Sequence, residues 1–121
     1  MSARGRTVDI TDAIIADQFR WYDPDRIILF GSHARGEPAA DIDVVLIKDT
    51  ADRFLDRLEV VYERWKLPVA VDILVYTPAE WARMIAEERG FILRILREGR
   101  EIYAVSQRPS GRESVPELLR Q

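Results

Sequence analysis

The residues with the clearest chemical potential are three aspartates. One residue separates Asp41 from Asp43, and Asp72 interrupts the apolar run Val69–Tyr76. On a strand, side chains alternate between the two faces of a sheet, so Asp41 and Asp43 point to the same side. Two like charges at this spacing repel each other and favour a bound cation. Carboxylate oxygens suit Mg²⁺, which usually keeps waters and binds together with substrate phosphates. The pair therefore predicts a magnesium site.

A glycine–serine pair precedes these aspartates at the end of a predicted strand. The run Asp25–Phe30 is mostly apolar and leads directly into Gly31 and Ser32. Glycine lets the backbone approach a ligand closely, and a short helix beginning there would direct N–H groups at a phosphate. The Ser32 hydroxyl is a further donor. The pattern predicts that Gly31 and Ser32 hold a nucleotide triphosphate while Asp41 and Asp43 hold the metal.

Asp72 is an acidic residue within an otherwise apolar predicted strand. An acid within an apolar strand is costly unless it is paired, hydrogen-bonded or bound to metal. If the strand of Asp72 lies beside that of Asp41 and Asp43, three carboxylates converge. Such a group could hold two metal ions about 3.5–4 Å apart, one at the attacking hydroxyl and one at the departing pyrophosphate.

Together these motifs resemble the nucleotidyltransferase superfamily of the DNA polymerase beta type, and its minimal MNT branch in particular. Two further segments carry the resemblance, Ala34–Glu37 and Leu96–Tyr103, and it covers roughly residues 10 to 104. It implies an α+β fold, with a small mixed sheet, helices packed mainly on one face and the aspartates along the other.

The resemblance also implies roles for individual residues. Gly31 and Ser32 match the nucleotide-binding positions, and Asp41, Asp43 and Asp72 match the catalytic and metal-binding positions. Arg35 is a candidate phosphate contact, with a surface ion pair to Glu37 as the alternative.

Small MNT proteins commonly pair with a helical HEPN ribonuclease toxin as its antitoxin, in some cases by transferring AMP to a toxin tyrosine. The resemblance therefore implies a Mg²⁺-dependent transfer of AMP from ATP to a hydroxyl, with a HEPN-type toxin as partner. Two alternatives stay open. The loop between Ser32 and Asp41 is two residues shorter than in most relatives, which favours an antitoxin that binds without catalysis. The third hypothesis is a small-molecule nucleotidyltransferase whose acceptor pocket forms in a homodimer.

Composition limits the other possibilities. A chain of 121 residues with 47% hydrophobic content suits one domain, predicted at 1–105, followed by a flexible tail at 106–121. The net charge of −3 argues against broad electrostatic binding to nucleic acid, and the lack of cysteine excludes a thiol nucleophile. Because no apolar run approaches the roughly 18 residues of a membrane helix, a soluble, cytoplasmic protein is expected.

Helix signals complete the picture. Thr11 is a candidate cap for a first helix, residues 51–65 have amphipathic spacing, and Thr77 followed by Pro78 predicts another helix start. Gly90 divides the helical region that follows, and a last strand is predicted at 101–104.

Overall fold

The computed structural model describes residues 10–37 and 41–105. These residues form five helices and four strands, with a 3-10 helix at Arg20–Tyr22. In chain order they are α1 (Asp12–Asp17), β1 (Arg26–Phe30), α2 (Gly31–Ala34), β2 (Ile42–Ile47), α3 (Phe54–Glu63), β3 (Val71–Tyr76), α4 (Pro78–Ala86), α5 (Gly90–Glu98) and β4 (Arg100–Ala104). The predicted tail from residue 106 lies outside the described residues.

The four strands form one mixed sheet in the order β3-β2-β1-β4. β1 pairs antiparallel with both β2 and β4, whereas β2 and β3 run parallel. The parallel pair is joined through α3, as a parallel connection requires a crossover. Two pairings matter for the site: Phe30 lies opposite Asp43, and Asp43 lies opposite Asp72. The sheet therefore places β2 between the strand that leads to Gly31 and the strand that carries Asp72.

Helices cover both faces of this sheet. On one face, α1 and α3 pack through Ile15 and Val61 against alternate residues of the central strands. On the other, α4 and α5 pack through residues such as Trp81 and Ile95. The predicted α+β fold class, with a small mixed sheet, is confirmed. The expected placement of the helices mainly on one face needs correction, since α4 and α5 share the face of the aspartates.

The reason for this second layer lies in β2. Asp43 shares its face of the sheet with Val45 and Ile47, which are fully or almost fully buried. Apolar side chains on both faces are typical of a strand covered on both sides. On this face, α4 and α5 cover the apolar residues along most of β2. The Asp43 carboxylate lies at the start of the strand, before this covered part.

The predicted helix boundaries are largely confirmed. The Thr11 side chain accepts a hydrogen bond from the Ile14 N–H, and Thr77 forms a reciprocal capping box with Glu80, with Pro78 in the first turn. Gly90 begins α5, as expected from its division of the helical region. The amphipathic segment 51–65 forms a helix only over Phe54–Glu63.

A buried ion pair joins three elements away from the aspartates. Arg57 of α3 is 5% exposed and binds Glu80 of α4 through two hydrogen bonds of 2.8 and 3.2 Å. Arg57 also donates to the backbone oxygens of Asp52 and Val75. A buried charge with this many partners is satisfied, but removing one partner is costly.

Gly99 sets the turn from α5 into β4. A Cβ there would lie 2.5 Å from the Ile95 oxygen and 2.9 Å from the Leu29 oxygen, so only glycine fits without movement of the backbone. This close approach holds the end of α5 against β1. Within the described residues, no helix has the length and apolar character needed to cross a membrane.

Replacing Glu80 with alanine should lower the free energy of unfolding by about 3 kcal/mol, because Arg57 stays buried without its anion. Hydrogen bonds from Arg57 hold the pKa of Glu80 below its usual value. Its stabilisation is therefore present above pH 4.5, the ordinary pKa, and is lost as the pH falls through the lowered one. Urea unfolding between pH 7 and pH 3 measures both effects.

Glu87→Ala is the matched control for this prediction, since Glu87 ends the same helix but forms an exposed pair with Arg89. Its cost should stay below about 1 kcal/mol. Equal losses in the two variants would show that the Arg57 pair contributes no more than a surface contact.

Candidate active site

Gly31 and Ser32 lie in a sharp change of backbone direction at the end of β1. Phe30 is extended, Gly31 has a φ of 78°, and the single helical turn α2 begins there. The predicted order of strand, Gly–Ser pair and short helix is confirmed. Arg100 of β4 donates a hydrogen bond of 2.9 Å to the Ala34 oxygen, which holds the end of this turn.

The Gly31 backbone packs directly against the Asp43 carboxylate. A Cβ built on Gly31 would overlap one Asp43 carboxylate oxygen. The contact follows from the sheet register, because Phe30 and Asp43 are paired residues on β1 and β2. A positive φ and a missing side chain are both required at this position, and only glycine satisfies both at no cost.

Asp43 and Asp72 are neighbours on parallel strands, as the sequence predicted for adjacent strands. Burial raises the pKa of Asp43, and the charge of Asp72 and a hydrogen bond with it raise this pKa further. Asp41, directly before β2, adds a weaker effect through its charge. The Asp43 carboxyl therefore stands in a field of like charge, with a counteracting contribution from Arg35.

Asp72 is exposed rather than buried. It is the second residue of β3, and β3 is an edge strand of the sheet. Its face is shared with Leu74 and Tyr76, which pack against the α4–α5 layer further along the strand. The apolar run around Asp72 suggested burial, but the covering helices leave its end of the strand open.

A metal ion is implied by the chemistry of these carboxylates. Within residues 10–37 and 41–105, no three His, Cys, Asp or Glu side chains are grouped as a metal-binding set. The donor type nevertheless fits, because Asp43 and Asp72 are adjacent carboxylates whose mutual repulsion a divalent cation would relieve. Asp41 is a third carboxylate whose charge acts on Asp43.

A cleft of about 360 Å³ opens beside Asp43. Four of the predicted site residues line it: Gly31, Ser32, Arg35 and Asp43. Arg35 forms ion pairs with Glu37 at 3.0 Å and Glu98 at 3.3 Å, so the alternative predicted for Arg35, a surface pair with Glu37, is present. The structure thus brings together the glycine–serine turn and one aspartate in this cleft, while Asp41 and Asp72 are not among its lining residues.

Sequence reasoning missed the contribution of α5 to the cleft. Arg94, Ile95 and Glu98 lie on the lining face of this helix. The signal available was the spacing of Arg94 and Glu98, four residues apart around the buried Ile95. This spacing alone does not place Arg94 and Glu98 at the cleft, because the sequence does not show which strand α5 packs against.

Comparison with known proteins identifies the family. Residues 13–102 match the model of the nucleotidyltransferase domain, a span that contains all six predicted site residues. The chain belongs to the nucleotidyltransferase domain family. The family predicted from the motifs is therefore confirmed.

Other comparisons add little to this assignment. No curated protein matches the chain. A solved structure described as a toxin-antitoxin with AMP-PNP is similar at 16% identity and a TM-score of 0.47, over 80% of this chain and 76% of that one. Similarity at this level carries no argument about the ligand or partner of this nucleotidyltransferase domain.

Gly31→Ala should reduce the free energy of unfolding by more than Gly36→Ala, which is its matched control. Both glycines have a positive φ, which costs alanine about 1–2 kcal/mol. A Cβ at Gly36 meets open space, whereas one at Gly31 overlaps Asp43 and adds about 1–3 kcal/mol. Denaturant unfolding of both variants measures the difference, and equal losses would contradict a tight contact between Gly31 and Asp43.

Asp43→Asn should raise the free energy of unfolding at pH 7 by about 0.5–2 kcal/mol, since it removes a like charge next to Asp72. Because the folded-state pKa of Asp43 is raised, the wild type regains stability as the pH falls and Asp43 binds a proton. The advantage of the variant should therefore shrink as the pH falls through the raised pKa of Asp43 towards its ordinary value of 3.8. Thermal unfolding over this range tests the effect.

Asp56→Asn is the control for charge removal, as Asp56 lies on α3 in an exposed pair with Arg53. Its effect should stay within about 1 kcal/mol and be destabilising. A stability loss in Asp43→Asn would instead mean that the carboxylate contributes more through hydrogen bonds than it costs through repulsion.

Proposed function

We propose that this nucleotidyltransferase domain transfers AMP from ATP to a hydroxyl acceptor with Mg²⁺, and that the acceptor is a HEPN-type toxin which it neutralises as an antitoxin. The observation that supports this most is the close packing of the Gly31 backbone against the Asp43 carboxylate. It combines a phosphate-accessible turn and a metal-binding oxygen at one point, which phosphoryl-group transfer requires.

In this proposal, some residues bind the phosphates and others bind the metal. Gly31 and Ser32 would bind the phosphate chain of ATP, and Asp41 and Asp43 would hold Mg²⁺ beside the α-phosphate. Asp72 would complete the metal site. When bound, Mg²⁺ supplies positive charge that offsets the charge of the phosphates and of the carboxylates.

The reaction we propose is a single in-line displacement. The acceptor oxygen forms a bond to the α-phosphorus while the bond from that phosphorus to the bridging oxygen of the β-phosphate breaks. Asp72 accepts the proton of the acceptor hydroxyl, and pyrophosphate leaves. Asp72 suits this role because it is exposed on an edge strand, where a large acceptor can reach it.

Two features favour a protein as the acceptor. Among residues 10–37 and 41–105, no helix covers Asp72 at its end of β3. On α5, another face of which lines the cleft, the apolar side chains of Leu93 and Leu96 lie about one turn apart and are 38% and 46% exposed. Exposed apolar groups next to a functional site are typical of a partner-binding surface. They support a partner that contacts α5 while presenting a hydroxyl to the aspartates.

The test is transfer of label from α-labelled ATP to the helical partner in the presence of Mg²⁺. The wild type should label the partner, whereas Asp41→Ala combined with Asp43→Ala should reduce labelling by at least about a hundredfold, as expected when groups that stabilise the transition state are lost. Autoradiography and intact mass of the partner measure the product. Asp56→Ala, an exposed aspartate on α3, is the matched control and should label normally.

The other hypotheses predict different outcomes of this experiment. A tight complex that inhibits the toxin without label, and equally in the double variant, would contradict catalysis and favour an antitoxin that acts by binding. Label on a small molecule in the absence of the partner would favour the small-molecule enzyme.

A further inference from the structure

The cleft beside Asp43 contains two arginines with different surroundings. Arg35 is held between the carboxylates of Glu37 and Glu98, at 3.0 and 3.3 Å. Arg94 also lines the cleft, and it forms no ion pair or hydrogen bond with the residues that the structure describes. The positive charge of Arg35 is therefore largely balanced within the protein, whereas that of Arg94 is available to a ligand.

Helix α5 holds Arg94 in a defined position. The neighbouring residues Ile92 and Ile95 are each 1% exposed and anchor the helix in the apolar layer. Phe91 packs edge-on against Phe30 of β1, with ring centroids 5.7 Å apart. Arg94 thus lines the cleft from a fixed helix, together with Phe30 and Gly31 at the end of β1.

The strand order shows on which side of Asp43 the cleft lies. β2 carries Asp43, with β3 and Asp72 on one side and β1 with Gly31 on the other. The cleft is lined by Gly31, Ser32, Asp43 and Arg94, so it lies on the β1 side of Asp43. An ATP molecule with its α-phosphate at Asp43 would extend its remaining phosphates away from Asp72 and towards Arg94.

We propose that Arg94 binds the β- and γ-phosphates of the nucleotide and stabilises the departing pyrophosphate. This inference rests on the proposed function and adds a residue to it. Arginine suits the task because its planar guanidinium donates paired hydrogen bonds to phosphate oxygens. Glu98, which lies one helical turn after Arg94 on α5, forms an ion pair with Arg35. The phosphates would therefore meet Arg94 as the cation of the cleft.

The experiment measures the dissociation constants of ATP and of AMP by isothermal titration calorimetry with Mg²⁺. Arg94→Ala should weaken ATP binding by about ten- to hundredfold, as expected for the loss of hydrogen bonds to a charged group. AMP binding should change less than about threefold, because AMP lacks the phosphates that Arg94 contacts. Arg94→Lys should recover part of the loss, since lysine keeps the charge without the paired geometry.

Arg53→Ala is the matched control, because the Arg53 side chain is 88% exposed at the N-cap of α3 and its loss changes the net charge equally. It should bind ATP as the wild type does. Circular dichroism of each variant verifies the fold, which the exposed Arg94 side chain is not expected to affect.

The outcomes separate this proposal from the proposed function. If the wild type binds ATP and Arg94→Ala binds it as tightly, the assignment of Arg94 is wrong and the proposed function stands. If Arg94→Ala weakens the binding of ATP and of AMP equally, Arg94 does not contact the terminal phosphates and the assignment is again wrong. If the wild type binds neither nucleotide, the proposed function fails and the role of Arg94 fails with it.

Discussion

The contact between the Gly31 backbone and the Asp43 carboxylate depends on the antiparallel register of β1 and β2, and the arrangement of the site depends on that contact. With Phe30 opposite Asp43, the residue that follows β1 must turn next to a carboxylate. A shift of one residue in this pairing would move Asp43 to the opposite face, among the apolar side chains that pack on α1 and α3. The register is therefore set by the cost of placing Asp43 in that apolar layer, since the later residues of β2 are buried on both faces. Apolar packing thus determines where the polar groups of the site lie.

This arrangement places like charges together, and other parts of the domain offset the cost. Asp43 carries a raised pKa because burial and Asp72 both disfavour its charge. The remainder of β2 supplies fully buried apolar residues such as Val44 and Val45. At the far end of β3, the pair of Arg57 and Glu80 joins α3 to α4. Stabilising interactions are concentrated away from the carboxylates, as expected where function requires an unfavourable local arrangement.

Much of the fold followed from local signals in the sequence. Thr77 with Pro78 predicted the start of α4, and the Gly31–Ser32 pair predicted the turn after β1, because caps and turns depend on residues close in the chain. The second helical layer did not follow in the same way. Whether α4 and α5 cross the aspartate face depends on packing between distant residues, such as Ile95 with the strands. The exposure of Asp72 was missed for the same reason, since its burial depends on where a covering helix ends.

The charges in the cleft show why residue type alone does not assign a role. Arg35 lies within the recognisable motif, yet two carboxylates hold it, and one of them comes from α5. Arg94 lies outside that motif and shares the cleft with Ser32 and Asp43. To bind a phosphate, Arg35 must exchange two exposed ion pairs, each of which stabilises only weakly, whereas Arg94 has no such pair with the residues that the structure describes. Through this competition, the pairing of Glu98 of α5 with Arg35 favours Arg94 as the arginine that an anionic ligand in the cleft would meet.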